Sequence, residues 1–179
     1  LTVREWWPDS EQRFAPLLPV SADLENGYGP DPEDAAQTIR RIAEAGAVGG
    51  SIEDWDRDES RLYDRGHAVE RIAASAEAAR SLPFRFMLTA RAENHIRGVD
   101  DLEDTLARLL AYRDAGADAL YAPGLVAVDD IARIVETVRA PVNVLLLPGG
   151  PRLAELAAAG VRRVSTGSAL AFHAYSRLV

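Results

Sequence analysis

Residues 19–29 read Pro19-Val20-Ser21-Ala22-Asp23-Leu24-Glu25-Asn26-Gly27-Tyr28-Gly29, and this stretch decides how the rest of the chain is read. It has the form of a buried strand ending in two carboxylates and a glycine-rich turn. Residues two apart in a strand project to the same face, so Asp23 and Glu25 are expected to point together. Two like charges held side by side call for a positive group between them, and a hard divalent cation with oxygen ligands, such as Mg²⁺, meets that need. The alternative is a strand end that simply emerges into solvent. Gly27 and Gly29 let the backbone turn sharply and approach a ligand closely, which makes Gly27 and its neighbour Tyr28 candidate substrate contacts.

Working outward, strand-like and helix-like segments alternate. Strands are predicted over 18–25, 48–54, 84–92, 117–122, 141–147 and 161–166. Helices are predicted over 31–47, 67–82, 99–115, 128–139, 151–159 and 169–179. Asp31 is a candidate N-cap beside Pro30 and Pro32. Three of these helices close on glycine, at Gly46, Gly116 and Gly160, where a left-handed C′ residue is wanted before the chain turns into a strand.

Six βα units build either a doubly wound sheet or a (β/α)₈ barrel. The strand ends carry polar residues: Asp23 and Glu25, Glu53 and Asp54, Arg91, and Asn143. In a barrel these ends meet at one rim, where active sites sit, whereas an open sheet spreads them along an edge. Their shared chemistry favours a TIM-barrel type of α/β fold. Six units are two short of closure, and the lead-in over 1–17 is too short to supply two strands and a helix. One partial barrel domain over 1–179 is therefore expected.

Composition narrows the chemistry. The chain has 179 residues, 47% of them apolar, and no cysteine, which excludes disulfides and thiolate ligands or nucleophiles. All 20 basic residues are arginine, so no lysine is present to form a Schiff base or to bind phosphate. The net charge of −8, without a basic stripe, argues against nucleic acid as a partner. No run is long and apolar enough to cross a bilayer, and Leu1–Trp7 lacks the pattern of a signal peptide. A cytoplasmic location is expected.

Glu53, in Ser51-Ile52-Glu53-Asp54, adds a third acid near the first pair. Together Asp23, Glu25 and Glu53 form a candidate Mg²⁺ set, directly or through water. Arg91 emerges from an apolar strand, either as an ion-pair partner of these acids or as a clamp for a substrate carboxylate or phosphate. Asn143, within an apolar strand, either contacts substrate or bonds to neighbouring backbone. His95 follows the arginine strand and either reaches the rim or, as the favoured reading, is a solvent-exposed loop histidine. The turns at 148–151 and 165–168 read as turns rather than anion cradles, and Arg162 and Arg163 as solvated charges.

Taken in order, Ala22-Asp23-x-Glu25-x-Gly27-Tyr28-Gly29, Ile52-Glu53-Asp54, Ala90-Arg91, Ala115-Gly116-Ala117-Asp118 and Pro141-Val142-Asn143 resemble the isocitrate lyase/phosphoenolpyruvate mutase superfamily, from about Leu18 to the end. The resemblance implies a (β/α)₈ barrel, here represented by strands equivalent to the third to eighth. It implies Mg²⁺, with Mn²⁺ as an alternative, and a small 2-oxo or related carboxylic acid as substrate. It further implies cleavage of a C–C or P–C bond next to the carbonyl through a pyruvate-type enolate. By position, Asp23 corresponds to the direct metal ligand, Glu25 and Glu53 to acids holding its waters, and Arg91 to the substrate clamp. A homo-oligomer is expected.

Two features depart from the pattern. The first two strands have no counterpart, and Pro8-Asp9 lies too close to Asp23 to replace the Pro-Asp of the second. The stretch over 55–63 has neither the Lys/Cys loop of isocitrate and methylisocitrate lyases nor the Lys and Asn of phosphonomutases. Three functions follow as expectations. The first is a Mg²⁺-dependent C–C lyase or hydrolase acting on a small 2-oxo or 2-hydroxy acid, with Arg91 and Glu53 as its catalytic residues. The second is P–C bond chemistry on a phosphonopyruvate-like acid. The third is an inactive, truncated barrel or binding module.

Overall fold

The computed structural model describes residues 19–177. The predicted lead-in over 1–17, with Pro8 and Asp9, lies outside the described residues, as does Leu18 at the head of the first predicted strand.

Six parallel strands form one sheet: β1 (Ser21–Asp23), β2 (Gly49–Glu53), β5 (Met87–Arg91), β6 (Ala119–Tyr121), β7 (Val142–Leu145) and β8 (Arg163–Ser165). Their spatial order is their chain order. A doubly wound sheet reverses its strand order at a switch point, and this one does not, so it is wound in one direction like a barrel wall. The sheet is curled: on its concave face, Arg163 of β8 reaches across β7 and β6 to donate to Thr89 Oγ1 of β5 at 3.4 Å. A two-stranded antiparallel hairpin, β3 (Trp55–Asp56) with β4 (Arg61–Leu62), interrupts the alternation after β2 and was not foreseen from the sequence.

The helices are α1 (Pro32–Glu44), α2 (Arg65–Arg80), α3 (Leu102–Asp114), α4 (Val128–Val138), α5 (Leu153–Ala158) and α6 (Ala169–Tyr175). Asp31 caps α1 in a reciprocal box with Asp34, and Asp101 accepts the Asp104 N–H at 2.9 Å at the head of α3. The three predicted helix stops hold. Gly46, Gly116 and Gly160 all have positive φ, and the next residue in each case donates back into the last turn, as in Val161 N–H to Leu156 O at 3.0 Å.

The register divides the sheet into two chemically distinct faces. Ile52, Leu88, Ala90, Leu120, Val142 and Val144 point one way and join a continuous core with helix residues such as Ile39, Ile72, Leu109, Ile131 and Leu156. The alternate residues, paired side by side across the strands, are Asp23 with Ser51, Glu53 with Arg91, Arg91 with Tyr121, Tyr121 with Asn143 and Asn143 with Arg163. One face is thus apolar and covered by helices. The other is polar, and its charged residues lie at the C-terminal ends of the strands.

Candidate active site

At the C-terminal ends of β1, β2 and β5 the polar face gathers around one guanidinium. Arg91 Nη1 meets Asp23 Oδ2 at 2.7 Å. Arg91 Nη2 lies 3.3 Å from Glu53 Oε2 and 2.8 Å from Glu93 Oε1, while Nε donates to the same Glu93 oxygen at 2.9 Å. The Tyr121 ring lies beneath the guanidinium, 5.3 Å from its carbon. A second arginine, Arg97, bridges Glu53 Oε1 at 3.4 Å and Glu93 Oε2 at 3.2 Å, and stacks on the Trp55 ring at 4.6 Å. Arg97 stands one helical turn beyond Glu93, on the short 3₁₀ segment His95–Arg97. Its ion pair with Glu93 therefore closes at i,i+4.

Burial controls the electrostatics. Glu53 is pushed up from 4.5 to about 7, first by desolvation and then by repulsion from Glu93, with Arg91 and Arg97 only partly compensating. Burial also raises Glu93, against the pull of Arg91. For Arg91, burial alone would favour loss of the proton, but Glu93, Glu53 and Asp23 outweigh it and hold the guanidinium above its ordinary value.

The structure brings Asp23, Glu53 and Arg91 together; it does not bring Glu25 with them. Strand β1 ends at Asp23, and Glu25 sits in a turn with φ +51°. The same-face reading of Asp23 and Glu25 fails because the strand stops between them. The Glu25 carboxylate pairs instead with Arg57 of the hairpin loop at 2.5 Å, and its backbone N–H donates to Asp23 Oδ1 at 3.1 Å. Gly27 (φ +85°) serves packing: a Cβ there would come within 2.8 Å of Ala35 Cα on α1. Tyr28, also at positive φ, is two-thirds exposed. Both line a groove of about 450 Å³ between the end of β1 and α1, beside the Arg91 cluster. Arg71 of α2 holds this turn by donating to the carbonyls of Asn26, Pro30 and Asp31.

Asn143 is buried on the polar face. Its Nδ2 donates to Ser165 Oγ at 3.0 Å, and its other amide end has no partner among the described residues. His95 departs from its exposed reading. Its side chain is only one-tenth exposed, with Nδ1 3.4 Å from Asp100, because the 3₁₀ turn folds it inward. Arg163, read as a solvated charge, reaches Thr89. Glu93, Arg97, Tyr121 and Trp55 were not singled out from the sequence as site residues. The one available signal was Glu93 itself, an acid two residues beyond the strand-end Arg91.

Among the described residues, no three carboxylates or histidines converge on a metal position. The donor chemistry nonetheless fits a hard divalent cation. Mg²⁺ takes one or two carboxylates and keeps several waters. Asp23 offers an exposed carboxylate, and beside it burial and Glu93 raise the proton affinity of Glu53 further than Arg91 and Arg97 lower it.

A curled parallel half-barrel with acids and an arginine at its strand ends defines the class: an α/β barrel-type protein with a charged, acid-lined rim. The chain belongs to the phosphoenolpyruvate phosphomutase family, whose profile matches residues 10–179, within the PEP mutase/isocitrate lyase superfamily. A provisionally assigned lyase/mutase of Burkholderia cenocepacia J2315 is 60% identical, with a TM-score of 0.85, over 89% of this chain and 58% of that one. Oxaloacetate decarboxylase 2 of Pseudomonas putida (strain W619) is 31% identical over 89% of this chain and 54% of its own length. The 2-methylisocitrate lyase of Salmonella typhimurium (strain LT2) is 31% identical over 70% of this chain and 43% of its own. The chain spans about half the length of the curated relatives it matches. Among the described residues no helix is long and apolar enough to cross a membrane.

Proposed function

We propose that this protein is a Mg²⁺-dependent lyase that cleaves the C–C bond next to the carbonyl of a small 2-oxo or 2-hydroxy carboxylic acid. The observation that carries the reading is the convergence of Asp23 and Glu53 on Arg91 at the C-terminal ends of adjacent strands. The named relatives, a decarboxylase and a lyase, support C–C cleavage. The six strands are read as the third to eighth of an eight-stranded barrel.

In this reading Asp23 would hold the ion directly and Glu53 its waters; Glu25 would join them on leaving Arg57. Mg²⁺, or Mn²⁺ in its place, supplies Lewis acidity to the oxygen on which negative charge develops. Arg91 grips the substrate carboxylate and stabilises the enolate charge as the bond breaks. The Tyr121 ring shields the rear of the guanidinium from water. Glu53, with its proton affinity near neutrality, is suited to hold or deliver a proton at its carboxyl oxygen. The free Oδ1 of Asn143 faces the same side of the sheet, where it can accept from a 2-hydroxyl of the substrate. A cytoplasmic homo-oligomer is the expected setting.

P–C cleavage of a phosphonopyruvate-like acid is the second reading, favoured by the description of the matched family. Turnover of oxaloacetate and of phosphonopyruvate, each with Mg²⁺ and with EDTA, separates the two. The expected result is Mg²⁺-dependent loss of oxaloacetate that disappears in Glu53→Gln with an unchanged circular dichroism spectrum. Turnover that persists in EDTA would remove the metal role, and turnover of phosphonopyruvate alone would replace the first reading with the second.

A further inference from the structure

Arg91 is read above as the substrate clamp, yet its donors are almost fully used. A guanidinium has five N–H groups: one on Nε and two on each terminal nitrogen. Glu93 takes Nε and one N–H of Nη2, Glu53 lies against the other, and Asp23 takes one N–H of Nη1. One N–H remains. A bidentate grip on a carboxylate needs two neighbouring donors, so one partner must leave before Arg91 can clamp anything.

Burial decides which partner leaves. The side chains of Glu53 and Glu93 are 3% and 1% exposed, whereas that of Asp23 is 64% exposed. Stripping a buried acid from its arginine leaves an uncompensated buried charge, whereas an exposed ion pair contributes little. Asp23 is also the acid best placed to receive a cation. A divalent ion and Arg91 Nη1 therefore compete for the same exposed carboxylate.

We propose that Asp23 gates Arg91: in the absence of cation it occupies Nη1, and on binding a divalent cation it releases that nitrogen for the substrate carboxylate. Glu53 and Glu93 stay in place and keep the fork oriented. Cation and carboxylate binding are then coupled through the protein, in addition to any contact between the two ligands. This proposal rests on the clamp role given to Arg91 under the proposed function.

The gate makes a prediction opposite to that for an ordinary ligand residue: removing Asp23 should strengthen metal-free anion binding. The test is calorimetric titration of the full chain with oxalate in EDTA, on wild type, Asp23→Ala, Glu25→Gln and Arg91→Gln. Asp23→Ala is expected to bind oxalate roughly three- to fivefold more tightly than wild type, the factor matching loss of one exposed ion pair. Glu25→Gln removes the same charge two residues away, from a carboxylate paired with Arg57 instead, and is expected to stay within about twofold of wild type. Equal or weaker binding by Asp23→Ala overturns the gate, and so does an equal gain in Glu25→Gln, which would reduce the effect to net charge. Loss of binding in Arg91→Gln shows that the probe sits on the clamp, so a missing gain in Asp23→Ala then counts against the gate alone. Oxalate binding that survives Arg91→Gln, or none in any of the four proteins, overturns the clamp reading and the gate with it.

Discussion

Glu53 and Asp54 are neighbours in sequence and opposites in environment. Asp54 faces the helices. Its oxygens accept from Tyr112 Oη at 2.6 Å, Arg108 Nη1 at 3.0 Å and the Glu93 N–H at 2.8 Å. Burial pushes Asp54 up, but these three donors pull against it. Glu53 faces the open side of the sheet, with only the looser contacts to Arg91 and Arg97 at 3.3 and 3.4 Å and the repulsion of Glu93. Both carboxylates are almost wholly buried. The supply of donors differs, and that separates a structural acid from a poised one. Asp54 is satisfied and braces the loop that carries Glu93. Glu53 is undersupplied, which is the condition of a group waiting for a ligand or a proton.

Breaking the satisfied side should have the largest effect. Asp54→Ala leaves Arg108 with Asp104 and the Tyr63 carbonyl, and removes the acceptor for Tyr112 and for the Glu93 N–H. The expected cost is about 3–5 kcal/mol, the usual penalty for removing one partner of a buried ion pair. Urea unfolding followed by circular dichroism measures it, and a loss below 1 kcal/mol would show that the network is not a brace.

The undersupplied side should give a smaller, pH-dependent effect of definite sign. In metal-free protein the proton on Glu53 is held more tightly folded, near 7, than at the ordinary value of 4.5. The stability this contributes is complete below the unfolded value and is lost as pH rises through about 7. The urea midpoint of wild type should therefore fall between pH 5 and pH 8, by the equivalent of about 2 kcal/mol after allowance for screening. Glu53→Gln, which stays neutral, should lose most of that slope. A wild-type profile that is flat or rises over this window would contradict the environment described for Glu53.

The contrast also explains what the sequence made legible. The alternation of elements, the three glycine stops and the polar strand ends follow from local rules, and so did the six-stranded parallel sheet. Asp23, Glu53 and Arg91 could be selected because strand-end position is a one-dimensional property. Glu25 was misplaced because the strand ends two residues earlier, and the same-face rule holds only within the strand. Gly27 looked like a ligand contact because positive φ and close approach look alike in sequence, whether the near neighbour is a ligand or Ala35. Glu93, Arg97 and Trp55 went unselected because their roles arise from the 3₁₀ turn and the hairpin, two short elements without periodicity. That adjacent acids face opposite sides was implied by strand geometry; which of them would be satisfied depended on Arg108 and Tyr112, more than fifty residues away.

The smallest expected effect tests whether the poised side is built to tolerate change. Trp55 supports Arg97 from outside the cluster, with its ring 4.6 Å from the guanidinium carbon. Arg97 itself is about one-third exposed, so water replaces much of what the ring supplies. Trp55→Ala is therefore expected to cost only about 1–2 kcal/mol, from the lost cation–π contact and some apolar area. The Asp54 side differs: Arg108 is almost wholly buried, so water cannot replace the acceptor that Asp54 supplies to it, to Tyr112 and to the Glu93 N–H. Measured side by side in urea, Trp55→Ala should keep a cooperative transition close to wild type while Asp54→Ala shifts far from it. If the two cost the same, the hairpin is part of the core, and the division between a braced face and a poised face does not hold at Glu53.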